Sequence, residues 1–281
     1  MIRPVTAKWA SNSPKIEDTG VEWRDEGIVI GVRRHGETSV ILDLLTRQHG
    51  RHLGLVRGGR SHKLQPSLQV GNGLDAVWRA RIEDHLGDYK IEARVMRAAR
   101  LMDHPAALYG LSHLTGLARL LPERDPHEAL YETLGIVLDQ LVDPLLAAPL
   151  VIRFELAVLG DLGFGLDLSE CAATGRTDDL VYVSPKSGRA VSREAGLPWH
   201  DKLLALPDFL KQTDTVAKAM PDDLAIHQGF LLTGFFLERH VYGPRALTMP
   251  DARQGFIASI IKSRLSDPQS LTVEADHTAV P

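Results

Sequence analysis

Residues 57–63 concentrate the side chains of this chain that are best suited to holding an anion. They read RGGRSHK, and the charged or titratable side chains are those of Arg57, Arg60, His62 and Lys63. The two glycines allow a sharp reversal and leave backbone N–H groups uncovered. Arginine and lysine beside uncovered amides suit the oxygens of phosphate groups. This stretch, the basic loop, indicates a phosphate site; a basic hairpin loop that only faces solvent is the alternative.

Outside the basic loop the sequence offers no recognisable catalytic or metal-binding pattern. It contains no Walker loop, no GxGxxG, no GxSxG and no HExxH. His49 and His52 have no cysteine or carboxylate cluster beside them, which favours a surface pair over a metal site. The acidic pairs at 178–179 and 222–223 suit turns and helix starts. Outside the basic loop the sequence therefore shows no catalytic constellation and no set of metal ligands.

Strand-like segments before residue 96 predict a small β-barrel that carries the basic loop. They cover residues 27–33, 38–46, 50–58, 73–81 and 87–95. In the last one Tyr89, Ile91, Ala93 and Val95 alternate with polar residues. Trp78 and Tyr89 fall on the apolar faces of their strands, so we expect core packing for both. Five short strands with turn glycines between them are typical of a closed barrel. An OB-fold is the most common barrel of this size, and an SH3-like barrel is the alternative.

After residue 100 the apolar period changes from 2 to 3.6, which predicts a helical domain. Helices are predicted over residues 105–121, 125–142, 149–163, 200–212, 222–241 and 251–265. Residues 164–198 interrupt this pattern and contain a predicted hairpin that turns at 185–188. The fold class is therefore α+β, with a five-stranded barrel followed by a helical domain that carries a hairpin insert.

The domain organisation follows from these changes of pattern. Residues 1–20 show no periodicity and are expected to form a disordered leader. The barrel takes 21–100, the first helical part 101–163, the insert 164–198 and the second helical part 199–266. Residues 267–281 are polar and are expected to form a flexible tail.

Composition indicates the class of protein and its compartment. The chain is 44% hydrophobic and 24% charged, as in ordinary globular proteins. It lacks an apolar run long enough for a membrane span, and its first residues lack the apolar core of an export signal. A single cysteine, Cys171, points to a reducing compartment, so we expect a cytoplasmic protein.

Positive charge is concentrated in the first part of the chain. Residues 21–100 hold 14 Lys and Arg against 10 Asp and Glu, whereas residues 101–281 hold 15 against 24. This asymmetry predicts a polyanion partner for the first part only. Chance unevenness between two domains is the alternative explanation.

Three segments together resemble the RecO family of bacterial recombination mediators. The first matches a strand, an R-x-x-G-E-x-S turn, a T-x-x-x-G step, a basic glycine loop and Leu-Gln-Pro. Its residues here are Arg33, Gly36, Glu37, Ser39, Thr46, Gly50, residues 57–63 and Leu64, Gln65 and Pro66. The second is RFELAVLGDLGFGLDLSEC, residues 153–171, and the third is LLTGFFLERHVYGPRAL, residues 231–247. The resemblance spans roughly residues 21–250.

The resemblance implies an N-terminal OB-fold, a helical domain with a small zinc ribbon, and no enzyme activity. It implies binding of single- and double-stranded DNA and annealing of complementary strands. It also implies action with RecR to load RecA onto DNA coated by single-strand binding protein, whose acidic C-terminal tail several members contact. A cytoplasmic, nucleoid-associated location follows from these partners.

The zinc ribbon is the one clear departure from the family pattern. The family pattern of two C-x-x-C pairs would place ligands at Cys171, Thr174, Ser192 and Ala195, and only the first is a cysteine. One thiolate cannot hold a tetrahedral zinc ion. We therefore expect a degenerate ribbon without zinc.

DNA binding is expected to depend on the phosphate backbone. The candidate DNA-binding residues are Arg33, Arg34, Arg57, Arg60, His62, Lys63, Arg79 and Arg81. Arg79 and Arg81 are alternatively an ordinary solvent face of a strand. With few aromatic side chains available for base stacking, binding should be independent of sequence and strongly dependent on salt.

A contact with an acidic protein tail would need basic residues on the helices, and Arg119, Arg153 and Arg239 are candidates. Two other functions stay open at this point. One is a protein adaptor whose barrel binds a peptide instead of DNA. The other is a nuclease or another phosphotransfer enzyme that uses the basic loop on phosphate.

Overall fold

The computed structural model describes residues 20–211 and 220–265. Nearly all of the expected leader, the flexible tail and residue 212 of one predicted helix lie outside these ranges. Five strands form the first domain: β1 Val21–His35, β2 Ser39–Thr46, β3 Arg51–Val56, β4 Gly73–Ala80 and β5 Asp88–Val95. They close into a barrel in the order β1-β2-β3-β5-β4. The predicted five-stranded OB-fold barrel is confirmed.

Strand β1 closes the barrel because it is long enough to pair on both sides. Its first half, from Val21 to Ile28, runs antiparallel to β4, and its second half, from Gly27 to His35, runs antiparallel to β2. The sequence pattern predicts only residues 27–33 as strand. The additional N-terminal residues alternate poorly in polarity, and pairing with β4 makes them a strand.

The inner faces of the strands fill the barrel with apolar side chains. Trp78 is fully buried and Tyr89 is 4% exposed, which confirms the expected core packing for both. The apolar face of β5 is not buried throughout, because Ala93 and Val95 are exposed. β5 pairs with β3 only at Asp88, so its second half lies at an edge that β3 does not cover.

The helical domain packs directly against one side of the barrel. Its helices are α1 Ala98–Met102, α2 Pro105–Ala118, α3 Glu128–Gln140, α4 Pro144–Leu159, α5 Arg193–Gly196, α6 Asp223–Leu237 and α7 Asp251–Leu265. Ile28, Ile30 and Leu45 of the barrel belong to the same buried apolar cluster as these helices. The barrel and the helices therefore share a hydrophobic core.

Two helix starts differ from the sequence pattern. α4 begins at Pro144 and contains Pro149, because Asp143 caps it by accepting hydrogen bonds from the N–H groups of Leu145 and Leu146. α3 begins at Glu128, after the predicted start at residue 125. A π-helical turn, Gly160–Phe164, continues α4, and Gly163 in it has a φ of 86°, which ends the helical backbone at the predicted residue.

The insert is a three-stranded sheet. β6 Leu180–Val183 pairs with β7 Ala190–Ser192, as the predicted hairpin requires, and also with β8 Leu204–Ala205. The predicted helix over 200–212 is therefore wrong within the described residues. Pro207 cannot donate a helical hydrogen bond, and the free edge of β6 offers the preceding residues strand partners instead.

Cys171, the first position of the expected zinc pattern, is buried. Ser192 donates its backbone N–H to Cys171 Sγ over 3.3 Å, and its hydroxyl oxygen lies 3.4 Å from the same sulfur. Burial raises the pKa of the thiol, but hydrogen bonds from Ser192 and Thr174 outweigh burial and lower the pKa to about 6. One sulfur, two hydroxyls and the methyl group of Ala195 do not fit the ligand set of zinc.

A buried ionic network fixes α7 to the rest of the helical domain. Glu155 of α4 is fully buried and accepts hydrogen bonds from Arg253 of α7 at 2.7 and 3.1 Å. His113 Nε2 lies 2.7 Å from the same carboxylate, and Thr233 of α6 also donates to it. Arg253 donates further to the carbonyl oxygen of Phe230. Four helices thus converge on one carboxylate.

None of the helices within residues 20–211 and 220–265 combines the length and apolar character needed to cross a bilayer.

Candidate nucleic-acid interface

The basic loop covers one end of the barrel. Gly58 has a φ of 65°, and its carbonyl oxygen accepts a hydrogen bond from the N–H of Ser61, which reverses the chain. Leu64 is half-buried and Leu68 is buried against the barrel core, so the segment after the loop is anchored by apolar contacts. The cationic side chains that precede this anchor face solvent.

The basic loop also contacts the turn between β1 and β2. The backbone N–H of Arg60 donates to the carbonyl oxygen of Thr38 over 3.0 Å, and its guanidinium donates to the carbonyl oxygen of Glu37. Arg33 and Arg34 lie at the end of β1 that leads into this turn. The structure therefore brings these two arginines and the basic loop to the same end of the barrel.

The partners of these cations decide which of them can meet a phosphate. The side chains of Arg33, Arg34, His62 and Lys63 are exposed and make no hydrogen bond or ion pair within the described parts of the chain. Arg60 donates only to backbone carbonyl oxygens, so no carboxylate compensates its charge. Arg57 pairs with Asp88 at 3.0 Å, yet 76% of its side chain stays exposed.

Arg79 and Arg81 lie apart from the β1–β2 turn. Arg79 forms an ion pair with Glu22 on the outer face of the barrel. It lines a groove of about 490 Å³ together with Arg57 and Asp88. Arg81 follows β4 and is exposed. Carboxylates therefore flank Arg79, whereas no described carboxylate pairs with the cations at the β1–β2 turn.

Sequence reasoning missed two cations on this outer face. Arg24 on β1 and Lys90 on β5 both stand opposite Val77 on β4. Both are exposed and make no ion pair with another described residue. The alternation of β5 places Lys90 outward, but only the pairing of β1 with β4 brings Arg24 beside it.

Several cations of the barrel are held by the helical domain. Arg47 pairs with Glu128 at 2.8 Å and with Glu132 at 2.6 Å, both on α3. Arg97 pairs with Asp139 of α3 at 2.7 Å. These arginines join the two domains and are less available to DNA. The barrel cations left without a carboxylate partner among the described residues lie at the β1–β2 turn and in the basic loop, and also at Arg24 and Lys90 on the outer face.

The barrel offers no open aromatic face for stacking a base among its described residues. Trp23 is half-buried, with His49 stacked at 4.1 Å and Trp78 at 5.5 Å between ring centroids. Trp78 and Tyr89 are buried. Burial lowers the pKa of His52 to about 4, so this neighbour of Trp23 is neutral at physiological pH. The exposed functional groups at the β1–β2 turn and the basic loop are therefore cationic side chains, not aromatic rings.

The three arginines expected to serve a protein tail lie in different surroundings. Arg153 donates to the carbonyl oxygen of Phe209 over 2.8 Å. Arg239 is exposed and lies over the ring of Phe235 at 5.8 Å. Arg119, at the end of α2, lies against β1 of the barrel.

Comparisons with known proteins agree with this architecture. The sequence models described as Recombination protein O N terminal and C terminal match residues 21–95 and 102–247. A protein of Mesorhizobium japonicum named DNA repair protein RecO is 60% identical over 86% of this chain and 94% of its own. Proteins of the same name from Brucella abortus and Methylorubrum populi are 55% and 57% identical over 85% of this chain, covering 96% and 98% of their own. The chain belongs to the RecO family of DNA repair proteins.

Proposed function

We propose that this protein is a non-enzymatic recombination mediator whose barrel binds single- and double-stranded DNA through the phosphate backbone. The observation that carries the proposal is the group of exposed cations at one end of the OB barrel, in a family of DNA repair proteins. Arg33, Arg34 and Lys63 lack carboxylate partners within the described residues, so a phosphate need not displace any. Arg57 and Arg60 add two further charges.

The chemistry of this surface favours binding without base recognition. Arginine and lysine that neutralise phosphates release counterions, and this makes affinity fall steeply with salt. Sequence-tolerant stacking would need exposed aromatic rings, and those of Trp23, Trp78 and Tyr89 are covered or buried. Bases of a bound strand would stay free to pair. This arrangement suits annealing of complementary strands.

The helical domain then serves protein partners. Following the family resemblance, these are RecR and the acidic C-terminal tail of single-strand binding protein, and the joint result is loading of RecA onto coated DNA. The acidic balance of residues 101–281 supports this division, since the net charge of this part does not attract DNA. These partners imply a cytoplasmic, nucleoid-associated location.

The zinc-ribbon-like insert is proposed to keep its shape without zinc. Hydrogen bonds between Cys171 and Ser192, the pairing of β6 with β7 and β8, and buried Leu180 and Val183 take over the role of the metal. No group of three or more His, Cys, Asp or Glu side chains suited to a metal ion occurs in the described ranges 20–211 and 220–265.

A charge-removal experiment tests the proposed function. The triple variant Arg57→Ala, Arg60→Ala and Lys63→Ala is compared with a control that loses three exposed cations of the helical domain: Lys186→Ala, Lys202→Ala and Arg239→Ala. We expect the first variant to lose at least about tenfold in affinity for labelled single and double strands at about 0.1 M salt, and to anneal slowly. The control should behave as the wild type.

Two results would contradict the proposal. Unchanged DNA affinity of the triple variant, with normal folding, would favour the adaptor whose barrel binds a peptide. Cleavage of single-stranded DNA by the wild type in the presence of magnesium would favour a nuclease.

A further inference from the structure

A small pocket lies where the barrel meets the end of α2. Its volume is about 220 Å³, and its charged lining residues are Arg33, Asp43, Arg51 and Arg119. Three guanidinium groups therefore surround one carboxylate. This seam pocket lies beside the surface that ends in the β1–β2 turn, because Arg33 belongs to both.

Asp43 provides the single carboxylate that lines the seam pocket, and Arg51 is paired with it. Its Nη2 lies 2.9 Å from Oδ2 of Asp43, and its Nε lies 3.1 and 3.2 Å from the two carboxylate oxygens. Arg51 also donates to the carbonyl oxygens of Arg119 and Leu121 at 2.7 and 3.4 Å. These carbonyls lie just after α2, at the negative end of its dipole, which would otherwise repel an anion.

Arg33 and Arg119 are left with uncompensated charge. Both side chains are exposed, and neither makes a side-chain hydrogen bond or ion pair in the described parts of the chain. Arg119 lies across β1: a methyl group built on Gly31 would stand 3.6 Å from its Cδ and 3.8 Å from its Nη1. The Arg119 guanidinium therefore packs against Gly31 of β1 and lines the same pocket as Arg33.

We propose that Arg33 and Arg119 form a phosphate-binding subsite that extends the DNA path from the β1–β2 turn onto the helical domain. This inference rests on the proposed function. Two arginines without carboxylate partners can hold the oxygens of a phosphodiester with charge-assisted hydrogen bonds. Arg51 acts as a positioning residue, since its own donors are already used by Asp43 and the carbonyls after α2.

The test uses the full-length protein and a labelled oligothymidylate. Arg119→Met removes the charge but keeps an unbranched side chain against Gly31, so folding should be unaffected, and thermal unfolding checks this. We expect about three- to tenfold weaker binding at about 0.1 M salt and a salt slope shallower by about 0.7. Arg119→Lys should fall between Arg119→Met and the wild type. Arg239→Ala removes another exposed guanidinium and should match the wild type.

The outcomes separate this inference from the proposed function. If Arg119→Met binds as the wild type while Arg57→Ala, Arg60→Ala and Lys63→Ala together weaken binding, the subsite is wrong and the proposed function stands. If the wild type itself binds without salt dependence, both are wrong. If Arg239→Ala weakens DNA binding as much as Arg119→Met does, the loss reflects the net charge of the protein and the subsite is also wrong.

Discussion

At the scale of single residues, the partner that a cation already has decides what it can bind. Arg34 and Lys63 are exposed and make no ion pair with the described residues, whereas Arg79 is paired with Glu22. A phosphate near Arg79 would also meet Asp88, which stands opposite it on β5. Residues of the same type therefore differ in their expected contribution to DNA binding.

This difference gives a test with two single variants. Arg34→Ala should weaken binding of single-stranded DNA about three- to tenfold at about 0.1 M salt and make the salt slope shallower by about 0.7. Arg79→Ala should change both quantities less, because the carboxylates of Glu22 and Asp88 flank this position. Fluorescence anisotropy at several salt concentrations measures both. Equal losses for the two variants would show that the ion pair does not matter.

The types of the site residues could be predicted from the sequence, but their partners could not. The basic loop and the burial of Trp78 and Tyr89 follow from local composition and alternation. The pairing of Arg79 with Glu22, and the place of Arg24, depend on the register between β1 and β4. That register joins segments far apart in the chain, so it cannot be predicted from the local sequence pattern.

At the scale of elements, two glycines with the same backbone conformation have different surroundings. Gly50 and Gly58 both have a φ of 65°. A methyl group on Gly50 would stand 1.9 Å from the carbonyl oxygen of Asp125, whereas one on Gly58 would meet nothing within 4 Å. The turn between β2 and β3 can therefore approach the segment before α3 only with glycine at position 50.

Alanine substitutions at these two positions should separate the energetic cost of a positive φ from the cost of a steric clash. Gly58→Ala should lower the free energy of unfolding by about 1 kcal/mol, the conformational cost alone. Gly50→Ala should cost more than about 3 kcal/mol, because the chain before α3 must also move. Denaturant unfolding measures both. Similar losses for the two variants would contradict the close approach.

The carboxylate of Glu155 should make stability depend on acid pH. Burial raises the pKa of Glu155, but the charge of Arg253 and the hydrogen bonds from His113 and Arg253 outweigh it and lower the pKa from 4.5 to about 2. A lowered pKa means that this stabilisation is present above about pH 4.5 and is lost as the pH falls towards 2. Glu155→Gln leaves Arg253 buried without a counter-charge.

We therefore expect Glu155→Gln to lower the free energy of unfolding by about 3–5 kcal/mol at neutral pH. Its stability should also fall less steeply than that of the wild type between pH 4.5 and 2. The exposed pair of Glu132 with Arg47 provides the control, and Glu132→Gln should cost at most about 1 kcal/mol. An unchanged pH dependence in Glu155→Gln would contradict the role of this carboxylate.

The insert provides a further prediction at this scale. Prolonged treatment with EDTA should leave the thermal midpoint of the protein unchanged, and elemental analysis should find no stoichiometric zinc, because Cys171 is the sole thiol of the chain. One zinc ion per chain, with a lower midpoint after chelation, would contradict this. The ligands would then have to come from residues other than Thr174, Ser192 and Ala195.

Most elements could be predicted because their local signals agree. The five barrel strands combine alternation with turn glycines, and the helices show apolar residues at helical spacing, with a capping aspartate before α4 and α6. The segment 200–212 failed because its apolar spacing suits a helix, while Leu204 and Ala205 instead pair with β6. The start of α4 was misplaced because Pro149 looks like a first helical residue, although Asp143 provides the actual cap.

At the scale of the whole molecule, the acidic part shapes the charge that the barrel presents. Carboxylates of α3 pair with Arg47 and Arg97, and Asp43 within the barrel pairs with Arg51. The positive excess of residues 21–100 is therefore not spread over the whole barrel. It is left at the β1–β2 turn, in the basic loop and in the seam pocket beside them, and on the outer face at Arg24 and Lys90.

The salt dependence of DNA binding tests the account most directly. Four phosphate contacts, by Arg33, Arg34, Arg60 and Lys63, predict a plot of log affinity against log salt with a slope of about −3 or steeper for single strands. An oligothymidylate and a mixed sequence of the same length should give the same slope. Replacing all four residues by alanine should make the slope shallower by about 3 and leave only the share of Arg57 and Arg119. A shallow slope in the wild type, or a steep one that survives the four substitutions, would contradict the account.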